Sequence, residues 1–290
     1  MRSLQPVDHT TDFCLEIHLT ELCNYSCSYC NLHDMNSHTS IDYDKLFSVD
    51  LPKNTRVFIM GGEPTIDRHF ISIIKELVKR GYKNIEVQTN LTFNVKKMLN
   101  LLEHEKLYVK FYGSFHMEYS KLDTFIEKCS QLKHAGMYGG VHLMWLHAES
   151  TKCLKYYHIM TKTLGNIYLE PTLPKSTHRK DWDNKTELKE FINLELMKYN
   201  QRLSPLINID GTEMTIGEAL VKNREREIQG MKCHIPTHGI TFSVNRNRFY
   251  YCCFDLVLKR EFNYEQFKKG WCVCQNKICC ADIGYTKVNE

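Results

Sequence analysis

Three cysteines near the start of the chain constrain its fold and chemistry more than any other feature. Cys23, Cys27 and Cys30 have the spacing C-x3-C-x2-C and directly follow the strand-like residues 13–20. Three thiolates this close on one loop can hold a single metal centre, and no fourth cysteine lies nearby in the sequence. This ligand set describes an iron–sulfur cluster that keeps one iron open for chemistry.

Clustered cysteines also form structural zinc sites, which are the main alternative for this loop. Structural zinc usually takes four ligands in two close pairs, and a lone triad leaves that tetrahedral geometry incomplete. The spacing therefore favours an iron–sulfur cluster over zinc.

Two motifs in order, CNYSCSYC at residues 23–30 and MGGEP at residues 60–64, resemble the radical S-adenosylmethionine (SAM) superfamily. The resemblance implies a [4Fe–4S] cluster on Cys23, Cys27 and Cys30, with the amino and carboxylate groups of SAM on the fourth iron. It also implies that one electron from the reduced cluster cleaves SAM to a 5′-deoxyadenosyl radical, which abstracts hydrogen from a substrate. The motifs carry this assignment, since a fold alone would not.

The resemblance further implies a set of residues that bind SAM. Glycines let backbone approach a ligand closely, a glutamate offers a carboxylate to an ammonium group, and an aromatic residue before the last cysteine lies beside the adenine. Polar residues at two strand ends complete the set, although Ser114 and Asn90 are also typical cap or turn residues. The implied cofactor-binding residues are Tyr29, Gly61, Gly62, Glu63, Pro64, Thr89, Asn90 and Ser114.

His116 and Glu118 follow Ser114 closely and are candidates for acid–base help near a substrate. A histidine at a strand end is more often a hydrogen-bonded structural residue. No catalytic residue is therefore assigned.

Strand-like and helix-like segments alternate over residues 13–173, which is typical of βα units. The predicted strands are residues 13–20, 56–60, 84–89, 107–113, 140–146 and 166–173. Apolar residues recur at helical spacing over residues 70–78 and 122–132, and Gly81 and Gly136 follow at the left-handed C′ position. Six such units predict an α/β fold, a partial (β/α)6 TIM-type barrel, which is also the core fold of the resembled superfamily.

The predicted strand ends place the candidate residues together. Active sites of parallel α/β barrels gather at the C-terminal ends of the strands. The cysteine triad, residues 61–64, residues 88–90 and residues 114–116 each follow or end such a strand. We therefore expect them to open onto one face.

The pattern predicts three regions: a radical SAM partial-barrel core over residues 1–175, a helical bridge over 176–231 and a small cysteine-rich β-hairpin domain over 232–290. Helices are expected over residues 186–199 and 216–228, and a hairpin over residues 240–251.

Seven of the 13 cysteines lie in residues 233–290, where their pattern around the hairpin resembles the twitch or SPASM extension of radical SAM enzymes. That resemblance implies an auxiliary [4Fe–4S] cluster, which takes four cysteines when the protein supplies every ligand. A zinc ribbon is the alternative here, and a second cluster stays open. The predicted ligands are Cys233, Cys252, Cys274 and Cys279, with Cys253, Cys272 and Cys280 as alternates.

Composition excludes several other classes of protein. With 290 residues, of which 42% are hydrophobic, the chain can bury a sizeable core. It has neither an apolar run of membrane-spanning length nor the apolar segment of a signal peptide, so a cytoplasmic protein with no membrane partner is expected. The net charge of +4 is spread along the chain, which makes nucleic acid an unlikely partner.

Cys129 and Cys153 fall on apolar helical stripes and are predicted core residues.

The predicted function is a radical SAM enzyme acting on a peptide, a protein residue or a small molecule, with a reductant such as flavodoxin or ferredoxin. The short segment before the first strand leaves no room for a leader-peptide-binding domain, which weakens the peptide alternative. Two rivals remain open. One is a glycyl-radical enzyme activase, and the other is a non-enzymatic zinc protein that binds nucleic acid through Arg246 and Arg248.

Overall fold

Strands and helices alternate along most of the described chain. A computed structural model describes residues 4–6, 13–30, 41–49, 51–52, 54–146, 149–171, 206–208, 213–214, 232–233, 239–250, 262, 265, 272–273 and 287–288. The elements are β1 (Leu4–Pro6), β2 (Cys14–Thr20), α1 (Tyr43–Leu46), β3 (Arg56–Gly61), a 3-10 turn (Pro64–Ile66), α2 (Phe70–Lys79), β4 (Asn84–Thr89), α3 (Val95–Leu101), β5 (Val109–Phe115), α4 (Leu122–His134), β6 (Tyr138–Trp145), α5 (Ser150–Thr163), β7 (Ile167–Pro171), β8 (Leu206–Asn208), β9 (Glu213–Met214), β10 (Lys232–Cys233), β11 (Gly239–Ser243), β12 (Arg248–Tyr250), β13 (Cys272–Val273) and β14 (Lys287–Val288).

The chain divides into two compact units. The first comprises Glu16–Trp182 with Val244–Asn247, and the second comprises Met1–Leu15, Asp183–Ser243 and Arg248–Glu290. All the described residues of the candidate site lie in the first unit.

Parallel strands form the centre of the first unit. Strands β2 to β7 lie side by side in chain order. The pairs β3–β4, β4–β5, β5–β6 and β6–β7 are parallel, with Val57 opposite Ile85 and Val87 opposite Phe111. Helices α2, α3, α4 and α5 each connect one of these strands to the next. The predicted alternation of strand and helix in a mixed α/β fold is thereby confirmed.

A hydrophobic core lies between the sheet and its helices. Alternate residues of the strands are buried, and so are the apolar stripes of α2 and α4, because a strand repeats every two residues and a helix every 3.6. Burying each such side chain contributes about 1.5–3 kcal/mol. Cys129 and Cys153 are fully buried, as predicted. The core includes Val57, Ile59, Ile85, Val87, Val109, Phe111, Val141, Leu143, Phe70, Ile73, Ile74, Leu77, Phe125 and Leu132.

The glycines after two helices agree with the sequence, whereas two strands are displaced. Gly81 and Gly136 have φ angles of 93° and 71°, the left-handed values predicted after α2 and α4. Strand β5 begins at Val109 and not at residue 107, because Leu107 is 77% exposed and the Tyr108 amide closes a turn on the Glu105 carbonyl. Strand β5 ends at Phe115 and not at residue 113, so residue 114 lies inside the strand. Strand β6 begins at Tyr138 and not at residue 140. Helix α3 was not predicted. It begins at Val95 and is capped by Asn94, the residue before it.

The described residues of the second unit form three small antiparallel arrangements. Strand β8 pairs with β1 and β9, and β10 pairs with β13 and β14. Strands β11 and β12 form a hairpin with Thr241 opposite Tyr250, which confirms the predicted hairpin. The helices predicted over residues 186–199 and 216–228 lie outside the described residues, as do Cys252, Cys253, Cys274, Cys279 and Cys280.

Every helix in the described ranges is too short or too polar to cross a bilayer.

Candidate functional site

The cysteine loop, defined as residues 23–30, begins three residues after β2. The Cys30 amide donates to the Cys27 carbonyl at 3.1 Å, which closes a turn between the second and third cysteines. The Tyr25 amide points at the Cys23 sulfur, 3.4 Å away. Cys27 is buried, Cys23 and Cys30 are half-buried, and all three are free thiols.

Burial keeps the first two thiols protonated in the absence of a metal. It raises the pKa of Cys27 to about 11, partly offset by the Tyr29 hydroxyl, and it also raises the pKa of Cys23. Negative charge on a neighbouring cysteine further raises the pKa of both Cys23 and Cys27. Binding to a cationic centre removes this cost of forming the thiolates, because a coordinating thiol is deprotonated by its metal.

The cysteines fit an iron–sulfur cluster by the chemistry of their donors. Soft thiolates are the ligands that such clusters use, and these three share one short loop. Within the part of the chain that the structure describes, no group of three or more His, Cys, Asp or Glu side chains is arranged around a single metal ion.

Two glycines at the end of β3 let that strand end pack against the backbone leading into the cysteine loop. The Gly62 amide donates to the Thr20 carbonyl at 2.8 Å, and the next amide donates to the Leu22 carbonyl at 2.8 Å. A Cβ atom at Gly61 would lie 2.1 Å from the Thr20 oxygen, and one at Gly62 would lie 2.1 Å from the Leu22 oxygen. Both positions therefore need glycine for this contact alone.

The Glu63 carboxylate is buried and surrounded by protein donors. Oε1 accepts hydrogen bonds from the Thr65 amide (3.0 Å), the Thr65 hydroxyl (2.5 Å) and the Thr89 hydroxyl (2.7 Å), and Oε2 accepts one from the Asn90 amide (2.6 Å). Burial raises the pKa of Glu63, while these hydrogen bonds act in the opposite direction. The carboxylate thus joins the turn after β3 to the end of β4, and its predicted contact with an ammonium group stays a prediction.

Asn90 connects the end of β4 to the cysteine loop. Its Nδ2 donates to Asn24 Oδ1 at 2.7 Å, and its Oδ1 accepts from the Thr92 amide and hydroxyl. Asn24 Nδ2 donates in turn to the Thr92 hydroxyl at 2.7 Å. Asn90 is therefore both a turn residue and a direct contact of the loop. Sequence reasoning did not single out Asn24 or Thr92, which are 68 positions apart and meet only in the fold, or Thr65, which contacts Glu63 two residues away.

Ser114 lies inside β5 and is buried, so it does not cap a helix. Its hydroxyl accepts a hydrogen bond from Gln88 Nε2 at 3.2 Å, across the β4–β5 pair. Among the described residues, no acceptor for the hydroxyl hydrogen is found, so it can donate to a ligand oxygen. Pro64 is buried in the 3-10 turn that follows β3.

His116 and Glu118 contact the cysteine loop directly. The Tyr29 hydroxyl lies 2.7 Å from His116 Nδ1, and Ser28 hydrogen-bonds with the Glu118 carboxylate. Burial lowers the pKa of His116 to about 4, with Glu118 acting in the opposite direction. The segments after β2, β3, β4 and β5 therefore come together, as the strand-end pattern predicts.

Two of the seven cysteines in the predicted auxiliary domain lie within the described residues. Cys233 in β10 and Cys272 in β13 are directly opposite each other in the antiparallel register. Cys233 was a predicted ligand and Cys272 an alternate. The other five cysteines of this region lie outside the described residues.

Comparison with known proteins finds similar sequences over part of the chain. The chain is 32% identical over 81 residues to a probable GTP 3′,8-cyclase of Saccharolobus islandicus, covering 26% of each chain. It is 34% identical over 101 residues to the GTP 3′,8-cyclase of Hydrogenovibrio crunogenus, covering 31% of this chain and 30% of that protein. Both relatives are named as enzymes. No family model matches the chain.

The matches span only about a quarter to a third of those relatives. Among solved structures, anSMEcpe with bound AdoMet and the Kp18Cys peptide is 18% identical with a TM-score of 0.46, covering 65% of this chain and 62% of that one. BtrN in complex with AdoMet and 2-DOIA is 12% identical with a TM-score of 0.44, covering 90% and 82%.

Proposed function

We propose that this protein is a radical SAM enzyme whose [4Fe–4S] cluster is held by Cys23, Cys27 and Cys30. The observation that carries the proposal is the convergence of the Gly61–Glu63 turn, the end of β4 and the end of β5 on the cysteine loop. Similarity to the GTP 3′,8-cyclases over a short region supports it. When bound, the reduced cluster would supply one electron that breaks the sulfur–C5′ bond of SAM, giving methionine and a radical that removes hydrogen from a substrate.

The residues around the loop would bind and orient SAM. Tyr29 would lie beside the adenine, and the backbone of Gly61 and Gly62 would meet the methionyl amino group. Ser114 would contact the ribose or carboxylate through its hydroxyl. The Glu63 carboxylate already accepts hydrogen bonds from Thr65, Thr89 and Asn90. Its main contribution in this proposal is therefore to fix the turn that presents the two glycine carbonyls.

The parallel strands and their helices would form the partial TIM-type barrel of such enzymes, with the site at the carboxyl ends of the strands. Residues 232–290 would form the twitch-like or SPASM-like domain with an auxiliary cluster. The substrate would be a peptide, a protein residue or a small molecule, and a flavodoxin or ferredoxin would supply the electron.

Iron content and SAM cleavage test the proposal together. We expect anaerobically purified protein to bind iron, about four atoms for one cluster and about eight for two, and to form 5′-deoxyadenosine after SAM and dithionite are added. Cys27→Ser is expected to abolish 5′-deoxyadenosine, whereas Cys129→Ala, which alters a core cysteine, keeps it. Zinc without iron and an absence of SAM cleavage in the wild type would refute the proposal.

A further inference from the structure

The residues that follow β5 lie against the middle of the cysteine loop. Tyr119 stacks on Tyr25 with ring centroids 4.7 Å apart and planes 15° apart. His116 is parallel to the ring of Tyr29, with centroids 6.0 Å apart, and Tyr25 meets His116 edge-on at 5.7 Å. Residues 116–119 therefore contact the stretch between the first and third cysteines.

Glu118 fixes the backbone between two cysteines. Its Oε2 accepts a hydrogen bond from the Ser28 amide at 2.9 Å, and its Oε1 accepts one from the Ser28 hydroxyl at 2.5 Å. Two hydrogen bonds from one residue to one carboxylate define orientation as well as position. Ser28 directly follows Cys27 and lies two residues before Cys30, so its backbone position determines where both sulfurs point.

His116 reaches the sulfur itself. Its Nδ1 lies 3.4 Å from Cys27 Sγ and 2.7 Å from the Tyr29 hydroxyl oxygen. A thiolate only accepts hydrogen bonds, and the donors that the described side chains place beside a ligated Cys27 are the His116 imidazole and the Tyr29 phenol. The ring is held in place from two sides by Tyr25 and Tyr29.

We propose that His116 and Glu118 are positioning residues that preform the cysteine loop, with Glu118 holding Ser28 and His116 providing the hydrogen-bonding environment of the Cys27 sulfur. The role of His116 toward a bound cluster rests on the proposed function, whereas the preformed loop is a property of the metal-free chain.

Two physical effects follow from this arrangement. Groups that orient metal ligands typically change metal affinity by about 10-fold to 100-fold when they are removed. Hydrogen bonds to sulfur stabilise the reduced cluster, since they withdraw electron density from the thiolate, and they help to set its reduction potential. Neither effect requires His116 or Glu118 to touch the substrate.

Glu118→Ala tests the loop in the metal-free protein. We expect faster hydrogen exchange at the Ser28 amide, together with iron retention reduced by about 10-fold to 100-fold in chelator competition. The matched control is Glu149→Ala, which removes another exposed carboxylate that hydrogen-bonds to a neighbour, Lys152 at 2.7 Å, outside the site. Unchanged exchange at Ser28 in Glu118→Ala would overturn the preformed loop.

His116→Leu and His116→Asn test the contact with the sulfur. The leucine variant is expected to lower the reduction potential of the cluster, measured by a redox titration followed by electron paramagnetic resonance. The asparagine variant places a donor near the position of Nδ1 and is expected to restore part of the shift. Equal potentials in wild type and His116→Leu would overturn the role of His116.

The measurements separate this inference from the proposed function. If the wild type binds no iron, the proposed function and the role of His116 in setting a potential both fail, while the exchange experiment still decides whether Glu118 preforms the loop. If the wild type binds iron and cleaves SAM but Glu118→Ala changes neither exchange nor iron retention, only the inference fails.

Discussion

The backbone amide of Asn90 donates a hydrogen bond to the buried Glu63 carboxylate across 2.6 Å, linking the ends of two neighbouring parallel strands. The same carboxylate accepts hydrogen bonds from the Thr65 and Thr89 hydroxyls. Asn90 in turn donates to Asn24 in the cysteine loop. A single carboxylate therefore fixes the geometry of three segments at the proposed SAM site.

Replacing Glu63 with glutamine is expected to destabilise the protein. One amide nitrogen would face donors where an oxygen now accepts, leaving at least one buried donor unpaired at a cost of about 1–3 kcal/mol. Urea unfolding of the variant measures this loss. Glu103→Gln, which changes an exposed glutamate, is the control and is expected to stay within about 0.5 kcal/mol of wild type. An equally stable Glu63→Gln protein would contradict the role given to this network.

Gly62→Ala is expected to damage the cysteine loop more than the fold. The new Cβ would lie 2.1 Å from the Leu22 carbonyl oxygen, so the backbone immediately before Cys23 has to move. We expect iron retention to fall by about 10-fold or more, as for other changes that misplace metal ligands. Gly136→Ala is the control, since it has a φ angle of 71° but open space around it, and it is expected to cost about 1–2 kcal/mol without affecting iron. Normal iron retention in Gly62→Ala would show that the loop tolerates the displacement.

The sequence predicted most of what depends on local pattern. The six strands, the left-handed glycines after α2 and α4, the hairpin and the meeting of strand ends all follow from periodicity and turn residues. The contacts of Glu63 with the end of β4 and those of His116 with the cysteine loop could not be predicted, because each joins residues 26 to 89 positions apart whose side chains meet only after the sheet has formed. Glu63 shows the difference, since its motif suggests a ligand contact while its surroundings show a buried structural carboxylate.

The register of β10 and β13 leads to a prediction about the auxiliary site. Cys272 is directly opposite Cys233, which makes it a stronger candidate for a shared metal than its sequence position alone suggested. We expect Cys272→Ala to remove up to about four irons per chain, the content of one cluster, while preserving 5′-deoxyadenosine formation at the first site. Cys153→Ala, a core cysteine in the first unit, serves as the control. Loss of iron in Cys274→Ala but not in Cys272→Ala would favour the ligand set drawn from sequence spacing.

The burial of His18 leads to a prediction of how stability depends on pH. Its Nε2 is buried and has no hydrogen-bond partner among the described residues, and burial together with the nearby Arg246 charge lowers its pKa from 6.5 to about 4. The unfolded chain therefore takes up a proton between pH 6.5 and 4 that the folded chain does not. Stability falls as the pH drops through this window, by at most about 3 kcal/mol from this residue.

His18→Gln removes the titrating ring, so we expect the decline in unfolding free energy between pH 6.5 and pH 4 to be smaller than in wild type. Because the pKa of His116 is lowered in the same direction, part of the decline should remain. Urea unfolding of metal-free protein at several pH values measures both curves, and His134→Gln, at an exposed helix end, is the control. Parallel curves for wild type and His18→Gln would mean that water or another group stabilises the charged ring, and that burial of His18 does not determine the acid sensitivity of the fold.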